Sequence, residues 1–233
     1  MSIICPIKWL ASGARRWYTT RTDRKGVISL PRYILCAVLG YLLGSFSASI
    51  LISKYIFRHD VRKSGSGNAG AANTARVFGM GAGLLTLLGD FVKCLLAMLI
   101  TRAIAGELGM CVGGASCMLG HCFPIFYGFR GGKGILVSAG VILMLNWRVL
   151  LIILAVFLLV VVFTKTVSLG SISAAAAYPV STLIVDLIRK APHPFLNALS
   201  ALIIGGIVIF MHRSNIKRLL NGTENKLGQK KKS

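Results

Sequence analysis

Long apolar runs constrain the fold of this chain more than any other feature. Seven such runs alternate with short polar segments along the 233 residues, at 34–57, 80–104, 109–127, 135–147, 149–164, 171–188 and 194–211. A transmembrane helix needs about 20 mostly apolar residues. The runs 135–147 and 149–164 are shorter, so they could be tilted little, be extended by neighbouring residues, or form a shallow hairpin. The pattern predicts an all-α fold, an integral membrane bundle of about seven transmembrane helices, with five as the lower limit.

The composition excludes an ordinary soluble domain. Charged residues make up only 14% of the chain, whereas soluble domains carry about 25%. The net charge is nevertheless +21, which suits nucleic acid, anionic lipid or a phosphorylated substrate. The basic residues lie between the apolar runs and lack an RNA-binding aromatic signature. We therefore predict contacts with membrane lipid and phosphate, and none with nucleic acid.

The distribution of charge predicts the orientation in the membrane. Seven spans place the segments 58–79, 128–134, 165–170 and 212–233 on one side. These segments hold 14 Lys and Arg residues, against four near the opposite ends of the spans. Cytoplasmic loops of membrane proteins carry an excess of Lys and Arg. This face, including the C-terminus, is therefore predicted to be cytoplasmic.

The first 32 residues do not fit this orientation. They contain seven Lys and Arg residues, and an odd number of spans would place them outside. They also lack a convincing signal-peptide pattern. We predict a disordered basic extension at 1–32, or a start codon set upstream, followed by a multi-span membrane domain at 33–212 and a basic cytoplasmic tail at 213–233.

The first predicted cytoplasmic segment is rich in glycines, small residues and amides. It runs from Ser64 to Arg76. Glycines permit turns in which successive backbone N–H groups converge on an anion, and an adjacent arginine adds a charge-assisted contact to phosphate. A flexible loop or a small-residue helix contact explains the same composition. The run is neither a P-loop nor a dinucleotide-binding fingerprint.

The second segment places a lysine among glycines. Gly131, Gly132 and Gly134 surround Lys133, so a tight turn could aim its ammonium group at a phosphate. A loop charge that only sets topology is the competing interpretation. His121 precedes this segment, and a single histidine near a helix end is more often a hydrogen-bonded structural residue than a catalyst.

Two further polar segments belong to the same face. Ser168 and Ser171 offer hydroxyls at a helix start, where capping explains them equally well. In the last segment a helix would place His212 and Asn215 one turn apart, so a histidine able to act as a base would lie beside an amide. The alternative is a solvated basic tail that is attracted to lipid.

Other kinds of chemistry find little support in the sequence. The six cysteines form no C-x-x-C pair and no metal-ligand spacing appears, so we predict no metal and no cofactor. A Ser-His-Asp order with a buried carboxylate is also missing. Asp90 and Lys93 are three residues apart in the second run, where the cost of charge in the membrane predicts a structural ion pair.

Together these segments resemble the PlsY family of acyl-phosphate:glycerol-3-phosphate acyltransferases. The matching motifs are, in order, Gly65-Ser66-Gly67-Asn68-x-Gly70-Ala71-x-Asn73-x-x-Arg76, Gly120-His121-x-Phe123-Pro124 with Gly131-Gly132-Lys133-Gly134, Ser168-x-x-Ser171, and His212-Arg213-x-Asn215-Ile216. The resemblance covers about residues 33–229. Ala72, Arg130 and Gly170 depart from the residues that are usual in the family.

The resemblance implies a reaction, its partners and a location. A fatty acyl group would pass from acyl phosphate to glycerol 3-phosphate, giving lysophosphatidic acid and phosphate in the first step of phospholipid synthesis. The implied partners are these two small-molecule substrates, membrane lipid and an acyl-phosphate-producing enzyme. The implied location is the bacterial inner (plasma) membrane, with several spans and a cytoplasmic C-terminus.

The predicted site lies at the cytoplasmic face. Its predicted phosphate-binding residues are Ser64, Ser66, Gly67, Asn68, Gly70, Asn73, Arg76, Lys133, Ser168 and Ser171. His212 and Asn215 are predicted to position the glycerol hydroxyl for direct attack, because an activated donor needs orientation and charge stabilisation, not an acyl-enzyme. Either the substrate phosphate or His212 would act as the base.

Two other functional classes fit part of the pattern. A small-solute transporter would explain the many spans and the Asp90–Lys93 pair, but it would place polar groups at mid-bilayer and not at one rim. A structural membrane protein would explain the small residues, which favour close helix contacts. It would leave four phosphate-suited segments unexplained.

Overall fold

The computed structural model describes residues 30–226, which form helices and connecting turns without a β-strand among them. Most of the predicted extension 1–32 thus lies outside the described residues. The described α-helices are α1 (Leu30–Ser45), α2 (Ala48–Tyr55), α3 (Ala71–Phe78), α4 (Met80–Cys122), α5 (Ile135–Thr164), α6 (Val167–Ile188), α7 (Pro194–Met211) and α8 (Arg213–Leu220).

Helix α4 turns back on itself. A straight helix of 43 residues would be about 65 Å long, yet Lys93 Nζ lies 3.0 Å from His121 Nδ1. Ala105 and Gly106 have non-helical backbone angles, with φ of 65° at Gly106. Glycine adopts a positive φ at little cost. The chain therefore reverses at these two residues, and the two halves of α4 pack antiparallel.

Helix α5 reverses as well, at Asn146. Asn146 is the non-helical residue inside this 30-residue element, whose ends would be about 45 Å apart if it were straight. Lys133 just before α5 hydrogen-bonds Asn215, and Ser168 just after α5 hydrogen-bonds Glu224, which is also a partner of Asn215. Both ends of α5 therefore lie at one place, which only a reversal permits.

These reversals give the number of membrane segments. Five stretches are long and apolar enough to cross a membrane: Leu30–Tyr55, Met80–Tyr127, Ile135–Thr164, Val167–Ile188 and Pro194–Met211. Because α4 and α5 each contribute two arms, residues 30–226 contain seven membrane segments. The predicted all-α bundle of about seven transmembrane helices is confirmed, and the two short runs predicted at 135–147 and 149–164 are the two arms of α5.

The arms of α5 differ in length. The arm before Asn146 has 11 residues and the arm after it has 18, which correspond to roughly 17 Å and 27 Å.

Small residues let α1 pack closely against the second half of α4. A Cβ atom at Gly40 would stand 2.4 Å from the carbonyl oxygen of Gly113, and one at Gly44 would stand 2.1 Å from that of Cys117. Such close backbone approach is typical of membrane helix pairs. Large apolar side chains on the outer surface of the bundle remain exposed, including Leu88, Val92 and Leu96, and they face the lipid.

Candidate active site

Five polar side chains meet where α5 and α6 begin and α8 lies; we call this side of the bundle the site face. Lys133 Nζ donates a hydrogen bond to Asn215 Oδ1. Asn215 Nδ2 donates to Glu224 Oε1 at 2.8 Å, and Ser168 Oγ donates to the same oxygen at 3.0 Å. Arg218 Nε donates to Glu224 Oε2 at 2.7 Å. This network joins three of the four polar segments singled out in the sequence.

The remaining segment, residues 64–76, lies against the loop of residues 131–134, which we call the glycine loop. A Cβ atom at Gly132 would stand 2.8 Å from the carbonyl oxygen of Ala69. Arg76 is close enough to Lys133 for its positive charge to act on the ammonium group. A second contact lies next to this one, where Arg62, just before residues 64–76, donates from Nη1 to the carbonyl oxygen of Tyr127, just before the glycine loop, at 2.7 Å.

Three helices begin at this place without a side-chain cap in the described chain. They are α3, α5 and α6, whose N-cap residues are Gly70, Gly134 and Thr166. The first N–H groups of a helix have no intrahelical partner, and the helix dipole adds partial positive charge there. Three such helix starts beside Lys133 make a site suited to anions, and to phosphate in particular.

The glycine loop itself uses part of its backbone for structure. Gly131 N donates to the carbonyl oxygen of Cys122 at 3.2 Å, and Gly132 N donates to that of His121 at 3.1 Å. These two amides tie the loop to the end of α4. The N–H groups of Lys133 and Gly134 donate to no partner within residues 30–226, so the second half of the loop retains free donors.

Asn73 shapes the first segment. It is 2% exposed, its Oδ1 accepts from Ser66 N at 2.8 Å, and its Nδ2 donates to the carbonyl oxygens of Val61 and Ser64, both at 3.1 Å. Both amide hydrogens of Asn73 are therefore engaged in holding the turn of residues 61–66. The contact of Asn73 with phosphate stays a prediction, whereas its role in shaping the loop is observed.

The other residues predicted in this segment are more open. Ser64 Oγ is 2.8 Å from His59 Nε2. Ser66 and Gly67 are exposed, while Asn68 and Gly70 are half-buried. Arg76 is also exposed, with Nη1 3.5 Å from Asn73 Oδ1. This arrangement leaves the loop accessible to a small anion, and phosphate contacts by these residues stay predictions.

The two serines at the start of α6 differ. Ser168 belongs to the network around Glu224, whereas Ser171 Oγ donates to the carbonyl oxygen of Val167 at 2.9 Å, within its own helix. Both side chains are buried. Ser168 is therefore integrated into the site, while the hydroxyl hydrogen of Ser171 is used locally and its oxygen can only accept.

His212 is buried at the junction of α7 and α8. Its Nδ1 lies 2.8 Å from the carbonyl oxygen of Val208. A carbonyl only accepts, so Nδ1 carries the proton and Nε2 is the nitrogen with a free lone pair. Burial lowers the pKa of His212 below its ordinary value, and the charge of Lys133 adds to this. A neutral imidazole with an accepting Nε2 suits a hydroxyl group or its proton.

Lys133 is less basic than an ordinary lysine. Burial lowers its pKa to about 8, and the charges of Arg218 and Arg76 act in the same direction, while Glu224 opposes them. Burial and like charges both disfavour the ammonium form. The site therefore holds positive charge that is not fully neutralised. A dianionic phosphate bound beside Lys133 would relieve this repulsion.

Sequence reasoning left Glu224 and Arg218 out of the site. Glu224 is one of only six acidic residues in the chain, and its carboxylate accepts from three side chains. A single acidic residue inside a strongly basic tail was the signal that could have identified it. The predicted tail at 213–233 therefore contributes residues 215–224 to the site.

Comparison with known proteins agrees with this arrangement. A family model described as glycerol-3-phosphate acyltransferase matches residues 34–222. The chain belongs to this family. It is similar to the glycerol-3-phosphate acyltransferase of Finegoldia magna, with 44% identity over 196 residues that cover 84% of this chain and 96% of the relative.

Solved structures give the same assignment. The chain resembles the crystal structure of PlsY (YgiH), an integral membrane glycerol 3-phosphate acyltransferase, in its glycerol 3-phosphate form, with a TM-score of 0.74, 33% identity, and coverage of 84% of this chain and 96% of that one. The lysophosphatidic acid form of PlsY matches with a TM-score of 0.72 and 32% identity, over 84% of this chain and 95% of that one. The chain is thus a multi-pass membrane protein of this acyltransferase family.

Proposed function

We propose that this member of the glycerol-3-phosphate acyltransferase family transfers a fatty acyl group from acyl phosphate to glycerol 3-phosphate. The products are lysophosphatidic acid and inorganic phosphate, and no metal or cofactor takes part. The observation that carries the proposal is the network Lys133–Asn215–Glu224–Ser168, beside three uncapped helix starts. It concentrates hydrogen-bond donors and positive charge where two phosphate-bearing substrates would meet.

The reaction needs orientation more than activation. The glycerol hydroxyl oxygen attacks the acyl carbonyl carbon and forms an ester bond, while the bond from that carbon to the phosphate oxygen breaks and phosphate leaves with the electron pair. Holding both reactants in this geometry removes much of the entropic barrier. Lys133, with the free N–H groups at the starts of α5 and α6, stabilises the charge that develops on the leaving phosphate.

His212 and Asn215 orient the attacking hydroxyl. Nε2 of His212 has a free lone pair because Nδ1 is engaged with Val208, so it can accept a hydrogen bond from a hydroxyl group of glycerol 3-phosphate and position the glycerol part of the substrate. Asn215 is held between Lys133 and Glu224, which fixes its amide beside the site. The hydroxyl proton goes to the substrate phosphate in our preferred scheme, and to His212 in the alternative.

The charge distribution supports the proposed location. The site face carries most of the Lys and Arg residues of the loops, and basic loops of membrane proteins lie in the cytoplasm. We propose that the protein resides in the bacterial inner membrane with its site and C-terminus on the cytoplasmic side. Soluble glycerol 3-phosphate would reach the site there, and a cytoplasmic enzyme that produces acyl phosphate would supply the donor.

One assay tests the proposal. Purified protein is incubated with glycerol 3-phosphate and acyl phosphate, acyl-CoA or acyl carrier protein as donor, and the lipid product and released phosphate are quantified. We expect lysophosphatidic acid and phosphate in equal amounts with acyl phosphate alone. Comparable rates with acyl-CoA would refute the proposed donor, and the absence of lysophosphatidic acid with every donor would refute the reaction.

A further inference from the structure

Lys93 lies at the centre of a buried polar cluster that the proposed reaction does not use. Its Nζ lies 2.8 Å from Asp90 Oδ1, donates to the carbonyl oxygen of Phe46 at 2.7 Å and lies 3.0 Å from His121 Nδ1. Asp90 is 2% exposed and His121 is 5% exposed. The predicted Asp90–Lys93 ion pair is confirmed, and His121 is a third member.

The ammonium group of Lys93 is surrounded by acceptors of its own cluster. An ammonium group has three N–H donors, and three acceptors surround Lys93. Asp90 Oδ1 accepts no hydrogen bond of ordinary geometry within residues 30–226, so opposite charge alone holds that contact. Buried ion pairs are costly and often contribute no net stability. The presence of this cluster therefore calls for an explanation other than stability.

The cluster determines how His121 is oriented. A lysine ammonium only donates, so Nδ1 of His121 accepts from Lys93, and the same nitrogen lies 3.7 Å from Asp90 Oδ1. Nε2 faces the glycine loop, because a Cβ atom at Gly132 would stand 2.2 Å from it. The backbone of His121 contacts the same residue, since its carbonyl oxygen accepts from Gly132 N at 3.1 Å.

The cluster is thereby connected to the site. His121 touches Gly132 with both its side chain and its backbone, and Gly132 directly precedes Lys133, which hydrogen-bonds Asn215. A fixed orientation of the histidine ring fixes the path of the loop and so the direction of the Lys133 ammonium group. Displacement of such a group by about 1 Å is enough to reduce a rate substantially.

We infer that Asp90, Lys93 and His121 are positioning residues: they hold the Gly131–Gly134 loop so that Lys133 and the free amides beside it bind the substrate phosphate. The inference rests on the proposed function, because it assumes that this loop binds phosphate. It assigns a functional role to two charged residues inside the second membrane segment that do not touch the substrate.

The test must separate loop position from protein stability. Replacing Lys93 alone would leave the buried Asp90 carboxylate without its lysine partner and would strongly destabilise the protein. The double variant Asp90→Leu/Lys93→Met removes both charges together, and apolar replacement of a buried ion pair is often neutral or stabilising. This variant keeps the core intact but deprives His121 of its donor.

We expect the double variant to insert and melt like the wild type, while its kcat/KM for glycerol 3-phosphate falls at least tenfold, roughly one charge-assisted contact. Inorganic phosphate should raise the melting temperature of the wild type and have little effect on the variant. Wild-type kinetics together with full stabilisation by phosphate would overturn the inference. His121→Phe keeps the Asp90–Lys93 pair and should show the same loss, so it decides the matter if the double variant does not fold.

Asp186→Asn is the matched control. Asp186 is also a buried carboxylate, 5% exposed, but it contacts Asn146 and Asn197 far from the site. This variant should retain wild-type kinetics, and an equal loss would show a general effect of buried polar changes and refute the assignment. Stabilisation by phosphate is measured without acyl transfer, so failure of the proposed reaction and failure of this inference give different results.

Discussion

Lys133 and Asn215 are 82 residues apart in the chain, yet their side chains hydrogen-bond directly. The contact joins the loop before α5 to the short helix α8 that follows the last membrane segment. Asn215 is held in turn by Glu224, so the cationic group and its orienting partners form one connected unit.

Lys133→Ala should lower activity at least tenfold. The change removes a charge-assisted contact to a substrate anion, which contributes about 1.5–3 kcal/mol, or roughly ten- to a hundredfold in rate or affinity. The measurement is kcat/KM at equal amounts of inserted protein. Lys190→Ala, in the exposed turn after α6, should be near wild type. Equal activity in both variants would remove Lys133 from the site.

Glu224→Gln should reduce activity by about tenfold through loss of a charged acceptor. The carboxylate accepts from Ser168, Asn215 and Arg218, whereas a glutamine amide nitrogen would face donors on one side. The readout is kcat together with KM for glycerol 3-phosphate. Glu107→Gln, at the half-buried ion pair with Arg102, is the control. An unchanged kcat/KM in Glu224→Gln would show that Asn215 does not depend on this carboxylate.

The activity should depend on pH through Lys133. Its pKa of about 8 means that the ammonium group is present below this pH and is lost as the pH rises through it, so kcat/KM should fall on the alkaline side. His212, with its pKa lowered by burial, should remain neutral at pH 7. Lys133→Arg should move the alkaline limb to higher pH, because arginine stays charged. An alkaline limb unmoved in that variant would assign it to another group.

Gly132→Ala should displace the glycine loop and lower the activity of the protein. The added Cβ atom would stand 2.2 Å from His121 Nε2 and 2.8 Å from the carbonyl oxygen of Ala69, and neither neighbour can move freely. We expect at least a tenfold loss of kcat/KM, the scale of one misplaced charged contact. Gly206→Ala in α7 meets no atom within 4 Å and should retain activity. Wild-type activity of Gly132→Ala would show that the loop tolerates displacement.

The orientation can be tested with a reporter protein. A fusion after Gly222 should read cytoplasmic, because the segments on the site face carry most of the loop charge. A reporter in the turn that contains Lys190 should give the opposite result. A periplasmic signal from the first fusion would reverse the proposed topology and place the site outside.

The sequence by itself determined the membrane class, the number of segments and the four polar segments of the site. These features are local: hydropathy is summed along the chain, and glycine, lysine and amide residues cluster in short stretches. Even the ion pair of Asp90 and Lys93 follows from a spacing of three residues within one helix.

Only the tertiary structure decided which of these groups meet. Reversal at Asn146 brings Lys133 and Ser168 to the same network, and close packing of α1 on α4 brings Phe46 to Lys93. Glu224 acquires its role through partners up to 56 residues away. Hydropathy places helices in the membrane but does not fix their rotation or neighbours, because lipid and helix surfaces are similarly apolar and the contacts of small and polar residues select the packing.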